Sequence, residues 1–340
     1  MTKIYILLIT LLISDAFASS SAVVFMYHRF GEERYPSTNI TLKQFEYQLN
    51  YLKENNYTVW PLSKVVNYIH QKKSLPPKTV ALSMDDAYRS IYTTAFASLK
   101  RQGFPFSVFV NTNPIDNKSK RYLTWEQMRE MAQHGGEFLN HSLSHDYLTP
   151  KKDEAEDMWK KRVTKEVESA QKRLQEELGS TTNKNPKLFS YPFGEYSEKT
   201  AELVSSLGYI AFTQASGPIG FESDLRALSR FPMAETYATQ KGFLTKLNTL
   251  PLPVEISSPF EPLIQKNNPP KLYIKLKYPV KNVGCYLSNG EPLKIEWLSQ
   301  NEFYTRAKEP LLPPRNRYAC TAPSSDNKTF WYSHLWIVND

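Results

Sequence analysis

The chain has 340 residues, two cysteines and a formal net charge of +8. A chain of this length comfortably forms two domains. The positive charges are spread along the sequence, without the dense basic block that is typical of nucleic-acid binding, so we expect no nucleic-acid partner. The charge would suit an anionic cell envelope or an acidic polymer, but it establishes neither.

The first residues are typical of an export signal. Lys3 supplies a positive start, residues 4–13 are almost entirely apolar, and residues 16–18 read A-F-A, a cleavage pattern. The apolar run is short for a membrane span, although a retained anchor is the alternative. We therefore expect a signal peptide over residues 1–18. The mature protein is expected to be a monomer exported to the periplasm or the cell exterior, with an envelope export partner left open.

Short β-rich segments alternate with helical patterns between residues 19 and 250. The predicted strands are 22–28, 57–62, 79–84, 106–111, 135–139, 187–193 and 209–214. The predicted helices are 41–56, 62–71, 90–103, 124–136 and 154–179. Strands and helices that alternate at this spacing indicate βαβ units and a parallel sheet. The number of units favours a closed (β/α) barrel over an open sheet, with catalytic groups at the carboxyl ends of the strands.

The residue pattern changes after residue 250. Prolines punctuate residues 251–270, which we interpret as a linker. Alternating apolar and polar residues over 271–340, with a hairpin turn signal S-N-G, predict a small antiparallel β-sandwich. In an exported protein, Cys285 and Cys320 are expected to form one disulfide, with two buried thiols as the alternative.

Residues able to support catalysis follow the predicted strands. Asp85 and Asp86 end the segment TVALSMDD, His141 and His145 lie four positions apart in NHSLSH, and His28 ends the first strand. In one helical turn, His141 and His145 would share a face and could bind one ion. Taken singly, these patterns also fit a helix N-cap, two solvated histidines and a core histidine. Together, a carboxylate and two neutral imidazoles form a standard ligand set for a catalytic divalent metal.

These motifs resemble the polysaccharide deacetylase family with the NodB homology domain, also named carbohydrate esterase family 4. SMDDAY resembles the family's first motif, T-F-D-D-G, NHSLSH its second, H-[ST]-x-x-x-H, and SYPFG its third, R-x-P-Y. The position of the histidine in VFMYHRF, on the first strand, resembles that in the branch with permuted motif order. This branch includes exported deacetylases of poly-β-1,6-N-acetylglucosamine. The resemblance covers about residues 22–245 and implies a distorted (β/α) barrel of the NodB type.

The resemblance also implies roles for individual residues. Asp86, His141 and His145 would bind a divalent metal, Zn²⁺ by default with Co²⁺ and Ni²⁺ as alternatives. Asp85 would act as the general base. His28 would act as the general acid that donates a proton to the leaving amine.

Two positions depart from the family's pattern. Ala87 replaces the usual glycine after the aspartate pair. Ser190 stands where the third motif normally has an arginine that holds the catalytic aspartate. Arg226 and Arg230 are the candidates to replace that arginine. The backbone N–H near Phe193, in the third motif, is the implied oxyanion donor.

Aromatic residues near the motifs are candidates for a sugar-binding groove, because aromatic faces stack on pyranose rings. Ordinary packing in the barrel is the alternative for each of them. The candidates are Tyr88, Trp125, Tyr191 and Tyr196, with the ring of Phe193 beside them.

The predicted function is a metal-dependent hydrolase that removes N-acetyl groups from an N-acetylglucosamine-containing polysaccharide and releases acetate. A catalytically weak glycan-binding or assembly protein of an export system is the alternative. A glycoside hydrolase is less favoured, because its two carboxylates must flank the bond at about 5 to 10 Å and adjacent residues do not readily do so. The glycan and the choice between N- and O-deacetylation stay open.

Overall fold

The computed structural model describes residues 19–179, 186–264 and 266–338. The signal peptide predicted over residues 1–18 lies outside the described residues. Within the described ranges, no helix is both long and apolar enough to cross a membrane.

A large, mostly parallel sheet forms the first part of the chain. The first eleven strands are β1 (Ser21–Tyr27), β2 (Arg29–Phe30), β3 (Asn39–Ile40), β4 (Thr58–Val59), β5 (Thr79–Met84), β6 (Phe106–Val110), β7 (Gly136–Asn140), β8 (Lys187–Ser190), β9 (Tyr209–Phe212), β10 (Ile219–Gly220) and β11 (Phe231–Pro232). Nine of them build this sheet in the order β10-β1-β5-β6-β7-β8-β9, with β4 on β5 and β11 on β1. Every residue of β1, β5 and β6 is buried, as expected for parallel strands that are covered on both faces.

The two ends of this sheet approach each other. Phe212 on β9 forms a bridge with Leu228, and β11, which follows soon after, pairs with β1. The sheet is therefore curled. The predicted barrel is present as this curled sheet, and a few hydrogen bonds link its two ends.

Eight α-helices accompany the strands in the described residues. They are α1 (Leu42–Glu54), α2 (Leu62–His70), α3 (Phe96–Gln102), α4 (Thr112–Asp116), α5 (Trp125–Ala132), α6 (Glu156–Leu178), α7 (Glu198–Ser206) and α8 (Gln240–Leu247). The local signals are clear. Thr124 caps α5 through a capping box with Gln127, and Gly103 ends α3 in the left-handed conformation.

The last part of the chain forms two four-stranded sheets. Its strands are β12 (Thr249–Pro251), β13 (Val254–Ser258), β14 (Leu272–Leu276), β15 (Gly284–Leu287), β16 (Lys294–Trp297), β17 (Glu302–Arg306), β18 (Arg315–Pro323) and β19 (Thr329–Ile337). The sheet orders are β12-β19-β18-β15 and β13-β14-β17-β16. Strand β13 lies inside the segment predicted as a linker. The β12–β19 pair is parallel, so the region is not antiparallel throughout.

These two sheets share one apolar core. Ile274 and Phe303 of one sheet pack in the same cluster as Tyr318 and Trp336 of the other. The predicted disulfide is confirmed: Cys285 and Cys320 are bonded, and they lie directly opposite each other on β15 and β18.

The C-terminal sheets also pack on the first part of the chain. Leu335 and Ile337 of β19 belong to the same buried cluster as Tyr191 and Tyr196. The ring of Trp331 meets the ring of Phe231 edge-on, with 5.4 Å between the ring centres. The segment around β8 is therefore covered by β19.

Candidate metal centre

Four polar residues lie at the carboxyl ends of neighbouring strands. Asp85 follows β5, His141 follows β7, Ser190 ends β8 and His28 follows β1. These strands run parallel within one sheet. Because the carboxyl ends of parallel strands meet at one edge, residues from four separate segments share one site.

Asp86, His141 and His145 form a compact cluster. The Oδ1 atom of Asp86 lies 3.2 Å from Nε2 of His141 and 3.1 Å from Nε2 of His145. Two ligands of a tetrahedral zinc ion, each at 2.0–2.1 Å, would be roughly 3.3 Å apart, close to both separations. Among the described residues, Oδ1 of Asp86 is buried and has no hydrogen-bond partner. A buried carboxylate oxygen without a partner is costly, so this donor set fits a divalent cation.

The two histidines meet through a turn and not through the helical turn that their spacing suggested. Residues 141–145 are not helical, and Ser142 and His145 have φ angles of 69° and 65°. Oδ1 of Asn140 accepts the N–H of Ser142 at 2.9 Å, and Oγ of Ser142 accepts the N–H of His145 at 3.0 Å. The Asn140 amide donates to the carbonyl of Val167 on α6 at 2.8 Å. Side-chain hydrogen bonds to the backbone therefore shape this turn.

The backbone after β5 is also left-handed. Asp86 has φ 71° and Ala87 has φ 55°. A left-handed residue with a Cβ costs roughly 1–2 kcal/mol, which gives a physical reason for the family's glycine after the aspartates. Ala87 tolerates the conformation here, and its methyl group is fully buried.

The hydrogen bonds around His141 orient its ring. Its Nδ1 donates to the carbonyl oxygen of Ser190 at 2.8 Å, and this bond directs Nε2 towards Asp86. Such a bond from the second ring nitrogen is typical of histidines that bind metals. Burial lowers the pKa of His141, but the Asp86 carboxylate outweighs burial and leaves this pKa raised. Burial raises the pKa of Asp86, but the adjacent His141 and His145 imidazoles outweigh burial and hold this pKa well below its usual value.

Asp85 is paired with a buried arginine. The guanidinium of Arg230 donates to both carboxylate oxygens, at 2.6 and 2.8 Å, and both side chains have 0% exposed area. The same guanidinium donates to Oγ of Ser190 at 2.8 Å and to Oγ of Ser83 at 3.3 Å. Burial raises the pKa of Asp85, but the Arg230 guanidinium, with smaller effects from His141 and His28, outweighs burial, so this pKa is lowered. Asp85 is therefore ionised at neutral pH.

Of the two candidate arginines, only Arg230 contacts Asp85 in the described structure. Arg226 instead binds Asp224, with 2.7 Å between Nη2 and Oδ2, and stacks over Phe260 at the surface. Ser190 leaves room beside Asp85 because its side chain is short. Arg230 reaches that space from the segment before β11 and replaces the arginine that β8 lacks.

His28 and Phe193 complete the set of predicted catalytic residues. His28 is half-buried, and burial lowers its pKa although Asp86 and Asp85 oppose the change. Phe193 lies in the turn Pro192–Gly194 with φ 59°. Its ring packs against the ring of His145, with 4.5 Å between the centres. Both residues therefore lie close to the Asp86, His141 and His145 side chains.

Three of the predicted sugar contacts are contradicted. Trp125, Tyr191 and Tyr196 are only 8%, 0% and 4% exposed. The Trp125 indole donates to Asp116 at 3.0 Å, and the Tyr191 hydroxyl donates to the carbonyl of Arg226 at 2.9 Å. Tyr191 stacks on Tyr196 at 5.3 Å. These rings fill the core, so they have no free face for a pyranose.

A residue that sequence reasoning missed is Tyr147. It is 45% exposed, and its ring stacks on that of Phe193 at 4.3 Å. Phe193 in turn contacts His145, so the pair forms an aromatic surface at the rim of the site. The position of Tyr147, two residues after a predicted ligand, is the signal that could have identified it.

A second missed group surrounds Tyr88. The guanidinium of Arg29 lies 3.4 Å from the centre of the Tyr88 ring, and Tyr122 stacks on the same ring at 5.3 Å. Tyr88 is half-buried, and both burial and the nearby Asp86 carboxylate raise its pKa. At the end of β6, Oδ1 of Asn111 is buried and has no hydrogen-bond partner within the described ranges. Arg29 directly follows His28, and Asn111 is a polar residue at the end of a predicted strand. Both positions could have been identified from the sequence.

Comparison with known proteins agrees with this geometry. Residues 72–212 match the family model described as polysaccharide deacetylase. A Bacillus subtilis protein named as a polysaccharide deacetylase, YxkH, is 28% identical over 211 residues, which cover 61% of this chain and 69% of that protein. The solved structure of the Streptococcus pyogenes deacetylase PplD in complex with acetate superposes with a TM-score of 0.59 at 23% identity. It covers 67% of this chain and 98% of PplD, and it supports the fold.

Residues 72–212 of the chain therefore resemble the polysaccharide deacetylase family. The chain is also similar to enzymes named poly-β-1,6-N-acetyl-D-glucosamine N-deacetylase. The Escherichia coli K12 enzyme of that name is 25% identical over 221 residues. The match covers 55% of this chain but only 32% of the Escherichia coli enzyme.

Proposed function

We propose that this chain is a metal-dependent N-deacetylase that removes acetyl groups from an N-acetylglucosamine-containing polysaccharide. One observation carries the proposal. A buried Asp86 oxygen without a hydrogen-bond partner lies 3.1–3.2 Å from two imidazole nitrogens, beside the ionised Asp85. In the reaction, water adds to the acetamide carbonyl carbon, the C–N bond breaks and the amine gains a proton. The products are acetate and a free glucosamine unit.

Asp86, His141 and His145 would hold the metal. A divalent ion there, Zn²⁺ by default with Co²⁺ or Ni²⁺ as alternatives, would polarise the acetamide carbonyl and lower the pKa of a water. The hydrogen bond from Nδ1 of His141 to Ser190 orients the ring, so that Nε2 would be directed at the ion. This triad leaves further coordination positions for water and substrate.

Asp85 would be the general base. Its lowered pKa keeps it ionised and able to accept the proton of the attacking water. The paired hydrogen bonds from Arg230 hold the carboxylate plane in one orientation. Arg230 is thus a positioning residue for the base.

His28 would be the general acid, and the turn at Phe193 would stabilise the oxyanion. His28 follows β1, next to the strand that carries Asp85, so it can approach the leaving amine from another side. Because burial lowers its pKa, His28 must gain its proton within the catalytic cycle. The left-handed backbone of Phe193 turns the chain at the rim of the site, where its N–H would donate to the developing negative charge.

The sugar would bind on the aromatic surface of Tyr147 and Phe193, with Tyr88, which lies near Asp86, as a further contact. Tyr147 is the most exposed of these rings, and an exposed ring can stack on the apolar face of a pyranose. The Tyr88 ring is held by Arg29 and Tyr122 and lies near Asp86. These contacts take the place of the three buried aromatic residues.

Export to the periplasm or the cell exterior is part of the proposal. The disulfide between Cys285 and Cys320 supports it, because disulfides persist in oxidising compartments. We also divide the chain into a deacetylase domain over 19–250 and an accessory region of sheets, to which β13 is added.

The test is acetate release from acetylated glucosamine oligomers, with bound metal measured in the same samples. Asp85→Asn should keep the metal and lose turnover, whereas His141→Ala should lose both. Full turnover by Asp85→Asn would refute the assignment of the base. Absence of acetate release by the metal-loaded wild type, with glycan still bound, would favour the binding protein. Shortened chains without acetate would favour a glycoside hydrolase.

A further inference from the structure

Two arginines of the C-terminal sheets reach the rim of the candidate site. Both lie on β18, two positions apart, so their side chains leave the same face of the strand. Arg315 donates from Nη1 to the carbonyl oxygen of Phe193, and its Nε lies 3.4 Å from Oε1 of Glu195. Arg317 donates to Oγ of Ser216 at 2.8 Å.

The turn that Arg315 contacts has few restraints of its own. The N–H of Gly194 donates to Tyr191 at 2.8 Å, and the N–H of Glu195 donates to Pro192 at 3.1 Å. Both of these hydrogen bonds span Phe193, which has φ 59°, a conformation that is costly for a residue with a Cβ. Strained backbone persists where surrounding contacts hold it, and Arg315 supplies such a contact to the strained residue itself.

The opposite side of the turn is held by the neighbouring segment. Thr213 donates from Oγ1 to the carbonyl of Gly194 at 2.6 Å. A Cβ on Gly194 would lie 2.5 Å from the Gln214 side chain, so the two segments are in close contact. Arg317 donates to the carbonyl of Gln214 at 3.3 Å. The two β18 arginines therefore hold both sides of the contact between the turn and residues 213–216.

The turn 192–195 contacts the candidate metal ligand His145 directly. The Phe193 ring lies 4.5 Å from the His145 ring and 4.3 Å from that of Tyr147. Movement of the turn would therefore displace the proposed oxyanion donor and the Phe193 ring that packs on His145. It would also disrupt the aromatic surface that Phe193 forms with Tyr147. Glu195 is only 7% exposed, so the partner of Arg315 is buried on the turn side.

We propose that the C-terminal sheets brace the active-site turn 192–195 through Arg315, a positioning residue for the deacetylation chemistry. This inference rests on the proposed function. It gives the accessory region a catalytic purpose that does not require it to bind glycan. The side chain of Arg315 is 37% exposed, so its removal opens no cavity and should leave both sheets folded.

The experiment compares the metal-loaded wild type with Arg315→Ala and Arg315→Lys, and uses Arg306→Ala as the matched control. Arg306 is an exposed arginine on β17, in the other sheet. Hydrogen exchange of the peptide that spans residues 191–197 reports the turn directly and needs no turnover. Acetate release reports kcat and KM.

We expect Arg315→Ala to exchange the turn amides several-fold faster, with unchanged exchange in β1 and β5. Its kcat should fall roughly tenfold to a hundredfold while KM stays within about twofold, as expected when reacting groups are slightly misplaced. Arg315→Lys should recover part of kcat, because a lysine donates one bond to Phe193 but cannot reproduce the fork of a guanidinium. Arg306→Ala should match the wild type in every measurement.

Unchanged exchange of the turn in Arg315→Ala would overturn the brace, whatever the activity. Faster exchange with wild-type kcat would overturn the positioning role and leave the deacetylase intact. Equal losses in Arg315→Ala and Arg306→Ala would point to general destabilisation and would also overturn it. If the wild type releases no acetate, the proposed function fails, and turn exchange alone decides whether Arg315 is a brace.

Discussion

Replacement of Arg230 by methionine is the sharpest test of the site's electrostatics. Arg230 and Asp85 both have 0% exposed area and are joined by bonds of 2.6 and 2.8 Å. Removal of one partner of a buried ion pair typically costs about 3–5 kcal/mol, because the other charge is left uncompensated. Solvent screening does not reduce this figure for a fully buried pair. We expect Arg230→Met to lose about 3–5 kcal/mol of unfolding free energy at pH 7.

The pH dependence of this loss gives a second check. In the wild type, the folded-state pKa of Asp85 is lowered, so its contribution to stability is present above the unfolded pKa and is lost in acid. In Arg230→Met, burial remains without the arginine and raises the pKa of Asp85. Protonation then stabilises the variant, and the stability gap to the wild type should narrow as the pH falls from 7 towards about 4.

The assay is urea denaturation at several pH values with equal metal loading, alongside acetate release. The double variant Arg230→Met with Asp85→Asn removes both charges and should be more stable than the sum of the single losses predicts, by at least about 1 kcal/mol. A loss below about 1 kcal/mol for Arg230→Met at pH 7 would refute the reasoning, as would a gap that widens in acid.

Three further predictions concern the metal, the substrate surface and the disulfide. A chelator should abolish acetate release, and added Zn²⁺, Co²⁺ or Ni²⁺ should restore it; activity that persists with no bound metal would contradict the site. Tyr147→Ala should raise KM roughly 2- to 10-fold with little change in kcat, as expected for one lost aromatic contact. Tyr191→Phe should leave KM unchanged and lose only about 1 kcal/mol of stability, since its buried hydroxyl bonds the Arg226 carbonyl; equal KM values for both variants would argue against the aromatic surface. Replacement of Cys285 and Cys320 by alanine should destabilise the C-terminal sheets by about 2–4 kcal/mol in urea, and an unchanged transition would show that the bond is dispensable.

The metal cluster could be predicted from the sequence because each ligand is tied to a local signal. The apolar runs before Asp86 and His141 identify buried parallel strands, and strands of one sheet place their ends at one edge. The disulfide could be predicted for a similar reason, since a chain with two cysteines has only one possible intramolecular pairing.

Other parts of the site had no local signal. Arg230 lies 145 residues from Asp85, and Arg226 was also a candidate by sequence. The rings of Trp125 and Tyr191 are chemically suited to sugars, but burial decides their use, and burial depends on the helices and strands that pack against them. The turn around Ser142 also differs from the helical turn that the histidine spacing suggested, because Asn140 and Ser142 bond the backbone.

By itself, the sequence determined the strand–helix order of the first part of the chain, the resemblance to the polysaccharide deacetylase family and the three metal-ligand candidates, because periodicity, caps and motif spacing are local properties of the chain. Tertiary structure alone decided which arginine holds Asp85, which aromatic rings stay exposed and which residues of β18 touch the active-site turn. The two arginine contacts join segments more than a hundred residues apart, and the exposure of the rings depends on the elements that pack against them. The free energy of such contacts is set by burial and geometry that no short stretch of sequence contains.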